Sequence, residues 1–225
     1  VQKTGQNVLA RLRSSSPKAP ALVIGAHIDH LGQGESTSSL AREEEKEQIH
    51  YGADDNASGV AAVLEIARYL TELKQKGILT MQRDILFVLW SGEELGTLGS
   101  NYFVQQLTQT NKSPLSQSIA VYLNLDMVGR LDQNLILQGI GSSSIWRTEI
   151  EKQNLRVDLP LVLQEESYLP TDATPFYVAG VPILSAFTGA HSDYHTPRDT
   201  PEKINCRING KIKDVINVFT VIGNV

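Results

Sequence analysis

Two adjacent carboxylates, Glu93 and Glu94, follow the most strand-like run of the chain, Ile85 to Trp90, and precede a glycine-rich turn from Gly96 to Gly99. Neighbouring glutamates are ordinarily solvated surface. Delivered by an apolar strand, they suggest a site in which Glu94 binds a metal while Glu93 handles a proton on the water that the metal holds. The rest of the chain must then supply further ligands. His27 ends an apolar run, Asp126 ends another, His195 lies in the loop after the last strand, and Asp55 opens a helix in Asp54-Asp55-Asn56. Singly, each has a bland explanation, an N-cap for Asp55 or a satisfied polar residue for a histidine. Together they fall at the carboxyl ends of strands, the edge where open α/β sheets form ligand crevices.

Two histidines and three carboxylates divide evenly between two metal ions if one carboxylate bridges, and Asp54-Asp55-Asn56 is a source of that bridge. Zinc takes His nitrogen and carboxylate oxygen and keeps a position open for water. A pair of ions about 3.5–4 Å apart can hold a water and polarise a carbonyl. Asp29, two residues after His27, is placed to orient that imidazole from behind. His30, His50 and His191 are read as loop polarity or local hydrogen bonding.

The elements that must position these groups alternate. Strands are expected at Asn7 to Leu12, Ala21 to Ala26, Arg83 to Trp90, Ile119 to Leu125, Asn134 to Gly139, Leu159 to Leu163 and Val181 to Phe187. Helices are expected after Gly59, with an apolar face of Val60, Val63, Leu64, Ala67, Leu70 and Leu73, and over Thr97 to Leu107, Ile145 to Gln153 and Asp172 to Gly180. A further helix is expected from about Asn209. Gly32 to His50 reads as a long polar loop in which Glu43 to Glu47 is solvated or briefly helical. The alternation means an α/β fold with a largely parallel sheet.

The 225 residues fit one domain, and a net charge of −5 without a basic stripe argues against a nucleic-acid partner. No run approaches the length of a membrane span, and no signal-peptide pattern opens the chain. A start at Val1 suggests a processed or trimmed product. The one cysteine, Cys206, excludes an internal disulfide framework. Trp90 and Trp146 are read as packing residues, with Trp90 near enough to wall the site.

The segments Gly25-Ala26-His27-Ile28-Asp29-His30-Leu31-Gly32, Gly52-Ala53-Asp54-Asp55-Asn56-Ala57-Ser58-Gly59, Ser91-Gly92-Glu93-Glu94, Asn124-Leu125-Asp126-Met127 and Asp193-Tyr194-His195-Thr196-Pro197 resemble the co-catalytic di-zinc aminopeptidases. Aminopeptidases Y and S, glutamate carboxypeptidase and glutaminyl cyclase are relatives in that family. The resemblance spans about residues 21 to 205 and implies a three-layer α-β-α sandwich around a largely parallel mixed sheet. It implies that His27 and Asp126 hold one zinc, Glu94 and His195 the other, and that Asp55 bridges them. Glu93 matches the general base, Tyr194 a tyrosine that bonds the developing oxyanion, and Asp172 an aspartate near the substrate pocket.

The resemblance also implies a cis peptide between Asp55 and Asn56. The expected partner is a peptide with a free N-terminus, and a secreted or periplasmic location is favoured. Ala173 departs from the family, since many relatives carry histidine there, and no protease-associated domain is visible. Three rivals remain: a carboxypeptidase, for which Arg130, Arg147 or Arg198 would have to reach the pocket, a single-zinc glutaminyl cyclase, and a non-catalytic receptor-type domain.

Overall fold

The structure, a computed structural model, describes residues 4–15, 19–33 and 37–205. Cys206, the helix expected from about Asn209 and part of the Ser14 to Pro20 turn lie outside them. The strands are β1 (Val8–Leu12), β2 (Ala19–His27), β3 (Gly32–Gln33), β4 (Ile49–His50), β5 (Arg83–Trp90), β6 (Ile119–Leu125), β7 (Leu135–Gln138), β8 (Leu161–Gln164) and β9 (Ile183–Phe187). The α-helices are α1 (Gly59–Gln75), α2 (Leu98–Asn111), α3 (Trp146–Val157) and α4 (Ala173–Val178).

A seven-stranded sheet runs in the order β1-β5-β2-β6-β9-β7-β8. Its centre, β5-β2-β6-β9, is parallel, while β1 pairs antiparallel with β5 and β7 antiparallel with β9. Strands covered on both faces read as continuous apolar runs rather than alternating ones. In β2, Leu22, Ile24 and Ala26 pack with α1 and α3 on one face, while Val23 points to the core beneath α2 and α4. The result is an α-β-α sandwich around a mixed sheet, as the sequence implied.

Helix α1 buries Ala62, Val63, Ile66 and Leu70, an i, i+3/i+4 stripe, against β2, β5 and β6. Leu64, expected on that face, points to solvent at 57% exposure because the stripe runs through Ala62 and Ile66 instead. Asp55 is not the cap of this helix. The side-chain oxygen of Asn56 accepts the Gly59 N–H at 3.0 Å, and its amide donates to the Leu125 carbonyl at 3.0 Å, leaving the Asp55 carboxylate free.

Trp90 packs in the core beneath α2 and α4, where its indole N–H donates to Tyr122 Oη at 2.8 Å, so it forms no wall of the site. The polar excursion after β2 is more ordered than a loop: β3 and β4 pair antiparallel across its base. Glu43–Glu45 forms a single 3-10 turn.

Candidate active site

The four parallel strands end on one edge, and that edge collects the chemistry. His27 is the last residue of β2 and pairs in register with Trp90, the last of β5. Glu93 and Glu94 follow three and four residues on, Asp126 follows β6 directly, and the loop after β9 returns His195 to the same place.

Asp55 sits at the centre of the cluster. Its Oδ1 lies 3.2 Å from His27 Nε2 and its Oδ2 lies 3.1 Å from His195 Nε2. His27 Nε2 is also 3.5 Å from Asp126 Oδ1, and His195 Nε2 is 3.2 Å from Glu94 Oε2. Donor atoms sharing one tetrahedral ion, with bonds of about 2.0–2.2 Å, stand about 3.3–3.6 Å apart. Of the four separations, 3.5 Å falls on that edge and the others, 3.1 to 3.2 Å, lie just under it, so the set fits two ions with Asp55 divided between them after a small outward shift of the donors. Further ligand atoms within 4.8 Å of one another form the groups His27, Asp55, Asp126 and His30, Asp55, Glu94. The peptide between Asp55 and Asn56 is cis.

The electrostatics are those of a cation site. Burial disfavours a proton on His27, but its hydrogen bonds to Asp126 and Asp55 more than reverse this and push the imidazole well above its ordinary value. His195 is pushed up to about 10 in the same way, with burial opposing and Asp55 and Glu94 prevailing. Burial would raise Asp55, yet bonds from His195 and His27 hold it well below the usual carboxylate range. Glu94 is lowered by His195 and His30 against its own burial. Glu93 differs from its neighbour. Burial pushes it up to about 8, His27 opposes, and the charges of Asp126, Asp172 and Glu94 add to the rise.

Backbone contacts hold these side chains in place. The Asp29 carbonyl lies 3.0 Å from His27 Nδ1, so that nitrogen donates and Nε2 faces the cluster. The Asp29 carboxylate stays farther from that nitrogen, with Oδ1 at 3.9 Å, and its hydrogen bonds go elsewhere: Oδ1 accepts the Glu93 N–H at 3.1 Å and Oδ2 the Glu94 N–H at 3.2 Å. The expected orientation of His27 by Asp29 is therefore made through the main chain, and the carboxylate fixes the turn after β5. The Ser38 carbonyl lies 2.8 Å from His195 Nδ1, and the Leu40 N–H donates to the His195 carbonyl at 2.9 Å. His50, buried, anchors that segment through Ser39 Oγ at 2.8 Å.

Asp199 ties the Asp55 segment to the His195 loop. Its Oδ2 accepts the N–H groups of Asp54 at 2.9 Å and Asp55 at 3.1 Å, and its carbonyl accepts that of Ala53 at 3.2 Å. Its Oδ1 binds Arg130, which also reaches Asp193 at 2.8 Å. Neither Asp199 nor this use of Arg130 is signalled by any local motif; only the shared loop with His195 hints at Asp199.

His27, Asp55, Glu93, Asp126, Tyr194 and His195 line a cavity of about 280 Å³ walled by Met127, Leu169, Pro170 and Phe187. Tyr194 stacks on His195 with ring centroids 3.8 Å apart, and burial, then the surrounding carboxylates, raise its phenol. Asp172 is not brought to that wall, which Thr171 occupies. It lies buried behind it, accepting the Ser100 hydroxyl at 2.6 Å, and burial pushes its carboxyl up to about 7. A wider cleft of about 1300 Å³ between β1 and α2 touches Asp29, His30 and Glu94 from the opposite side.

A parallel-centred α/β sandwich with a doubled His and carboxylate cluster at its strand ends has the place and the donor set of a two-metal centre. The chain belongs to peptidase family M28, whose model matches residues 7–220. It is 29% identical over 218 residues to aminopeptidase YwaD of Bacillus subtilis, covering 90% of this chain and 41% of that protein. Among solved structures, the aminopeptidase from Aneurinibacillus sp. strain AM-1 superposes with a TM-score of 0.70 at 25% identity, over 94% of this chain and 46% of that one. The glutaminyl cyclase of Porphyromonas gingivalis shares the fold, with a TM-score of 0.70 at 20% identity over 95% and 76%. The chain spans less than half the length of the curated aminopeptidases it matches.

Proposed function

We propose that this chain carries the catalytic site of a zinc-dependent aminopeptidase that removes the N-terminal residue of peptides. The observation that carries the reading is the division of Asp55, one oxygen toward His27 and Asp126 and the other toward His195 and Glu94, with Glu93 left over on the cavity wall. Bound at this cluster, two zinc ions would acidify a water and polarise the scissile carbonyl. His27 and Asp126 would hold one ion, Glu94 and His195 the other, and Asp55 both.

Glu93 takes the proton of the attacking water and returns it to the leaving amine. Tyr194, on the cavity wall, hydrogen-bonds the oxyanion as it forms. The carboxylates at the cavity also complement the free ammonium of the substrate, which favours cleavage at an amino terminus.

The carboxypeptidase alternative needs a cation for the substrate carboxylate. Arg130 is bound to Asp193 and Asp199, Arg198 to Glu45 and Arg147 to Glu165, and no Arg or Lys is among the described residues lining the cavity. The complete five-ligand set likewise favours two ions over the single zinc of a cyclase. The test is Glu93→Ala, assayed on free-amino and amino-blocked forms of one peptide. The variant is expected to bind zinc as the wild type does and to lose nearly all turnover, and the wild type to cleave only the free-amino form. Turnover near wild type in the variant would overturn the role of Glu93; cleavage of the blocked form would overturn the exopeptidase reading.

A further inference from the structure

His30, read from the sequence as loop polarity or local hydrogen bonding, reaches instead to Glu94, 64 positions on, and the proposed reaction does not use it. Its Nδ1 lies 2.8 Å from Glu94 Oε1, while its Nε2 is buried without a hydrogen-bond partner. The side chain is 9% exposed. Its ring plane is fixed from two sides. Gly52 has φ +62, and a Cβ there would stand 2.5 Å from His30 Cγ and 2.7 Å from Cδ2, so the imidazole lies directly against the glycine main chain. On another side the His195 ring meets it edge-on, with centroids 5.8 Å apart and planes at 71°. The ring is thereby held with Nδ1 turned to Glu94.

A histidine so placed can be a metal ligand or a proton donor, and the distances separate the two. Ligand atoms on one tetrahedral zinc stand about 3.3–3.6 Å apart. His27 and His195 meet their carboxylates at 3.1 to 3.5 Å, on that edge or just under it. His30 and Glu94, at 2.8 Å, are instead at the separation of an N–H···O hydrogen bond to a carboxylate. The next carboxylate oxygen from His30 Nδ1, Asp55 Oδ2, is 3.9 Å away.

Building on the two-ion reading, we propose that His30 is a positioning residue for Glu94. Its Nδ1–H binds Oε1 and leaves Oε2, 3.2 Å from His195 Nε2, as the one oxygen offered to the cation that Glu94 and His195 share. The carboxylate is thus held to ligation through a single oxygen and cannot turn away from the cluster. His30 then sets the affinity of that ion and leaves the ion of His27 and Asp126 untouched.

The test reads metal binding rather than turnover. Wild type, His30→Leu, His30→Asn and His30→Gln are stripped with chelator, checked for folding by circular dichroism, and titrated with zinc against a competing chromophoric chelator. The Asn amide nitrogen occupies the place of Nδ1, whereas the Gln amide reaches the place of Nε2. In His30→Leu and His30→Gln one of two zinc ions is expected to bind roughly 10–100-fold more weakly, the scale of losing a hydrogen bond behind a ligand, with the other unchanged. His30→Asn is expected to restore it to within a few-fold.

Two zinc ions bound as tightly in His30→Gln as in the wild type would overturn the proposal. Loss of the ion in His30→Asn as complete as in His30→Gln would also overturn it, in favour of a direct ligand. Should His30→Leu not fold, the Asn and Gln pair decides alone. A wild type that binds fewer than two ions overturns the two-ion reading itself, an outcome visible before any variant is compared.

Discussion

Replacing Asp199 by alanine tests whether the site is held together by the contacts between its loops. The carboxylate is fully buried and receives the Asp54 and Asp55 N–H groups on Oδ2 and the Arg130 guanidinium on Oδ1. Truncation orphans two buried amides and removes one of three carboxylates from Arg130, which keeps Asp193 at 2.8 Å and Asp54 at 4.0 Å. A hydrogen bond to a charged group contributes about 1.5–3 kcal/mol, and breaking a buried ion pair costs about 3–5 kcal/mol. These overlap at one side chain, so the expected loss is about 3–5 kcal/mol, a large share of the ~5–15 kcal/mol that stabilises a typical domain. Asp199→Asn keeps an oxygen for the amides but turns an NH₂ toward Arg130, and is expected to fall between the two. Urea unfolding of the metal-stripped proteins, followed by the fluorescence of the buried Trp90 and Trp146, measures both, with an unchanged denaturant slope as the control. A loss under about 1 kcal/mol in Asp199→Ala would refute the reasoning, because orphaned buried donors cannot be that inexpensive.

Two further outcomes test the scaffold. Glycine within a helix usually costs about 1 kcal/mol relative to alanine. At Gly59 the sign should reverse: a Cβ there would stand 2.3 Å from Asn56 Oδ1 and 2.4 Å from the Leu125 carbonyl, so Gly59→Ala should lower the urea midpoint, and a raised one would disprove the close approach of α1 to β6. Asp84, on β5, accepts the Ser14 N–H at 2.6 Å and the Arg11 side chain at 2.7 Å; burial would raise its carboxyl, but these bonds hold it below its ordinary value. Its contribution is therefore present above the unfolded value of about 3.9 and is lost as pH falls through the lowered folded value. Asp84→Asn should be less stable than wild type by about 1–2 kcal/mol at pH 7, with the gap narrowing in urea titrations carried out progressively below about pH 4, whereas a gap that widens there would refute the assignment.

The strands were legible because the sheet is covered on both faces. β5 and β6 have the bounds expected from their apolar runs, Arg83–Trp90 and Ile119–Leu125, since continuous burial leaves continuous hydrophobicity. The ligand candidates were legible for a related reason: each is a polar residue at the end or start of such a run. What escaped is whatever uses main-chain atoms. Every residue carries the carbonyl that Ser38 offers to His195 and the one that Asp29 offers to His27, so nothing in the identity of Ser38 marks the contact. Nor does sequence say that the Asp29 carboxylate will face two amides of another turn. His30 was visible as a histidine, but its direction depends on Gly52, twenty-two positions away, and that requires the fold.

The same distinction explains how two identical neighbours, Glu93 and Glu94, come to differ. After Trp90 the chain leaves the sheet through Gly92, whose φ of +78 lies in a region that favours glycine. The following peptides are then gripped by one carboxylate, with Asp29 taking the Glu93 N–H on one oxygen and the Glu94 N–H on the other. The Glu93 carbonyl accepts the Gly96 and Thr97 N–H groups at 2.8 and 2.9 Å, which closes the turn. With the main chain fixed at both residues, the side chains are directed apart. Glu94 meets His30 and His195, and its proton affinity falls; Glu93 faces the cavity beside Asp126, and burial raises its own. In the proposed reaction the one carboxylate holds a cation and the other carries a proton, and exchanging them would require the turn itself to be rebuilt.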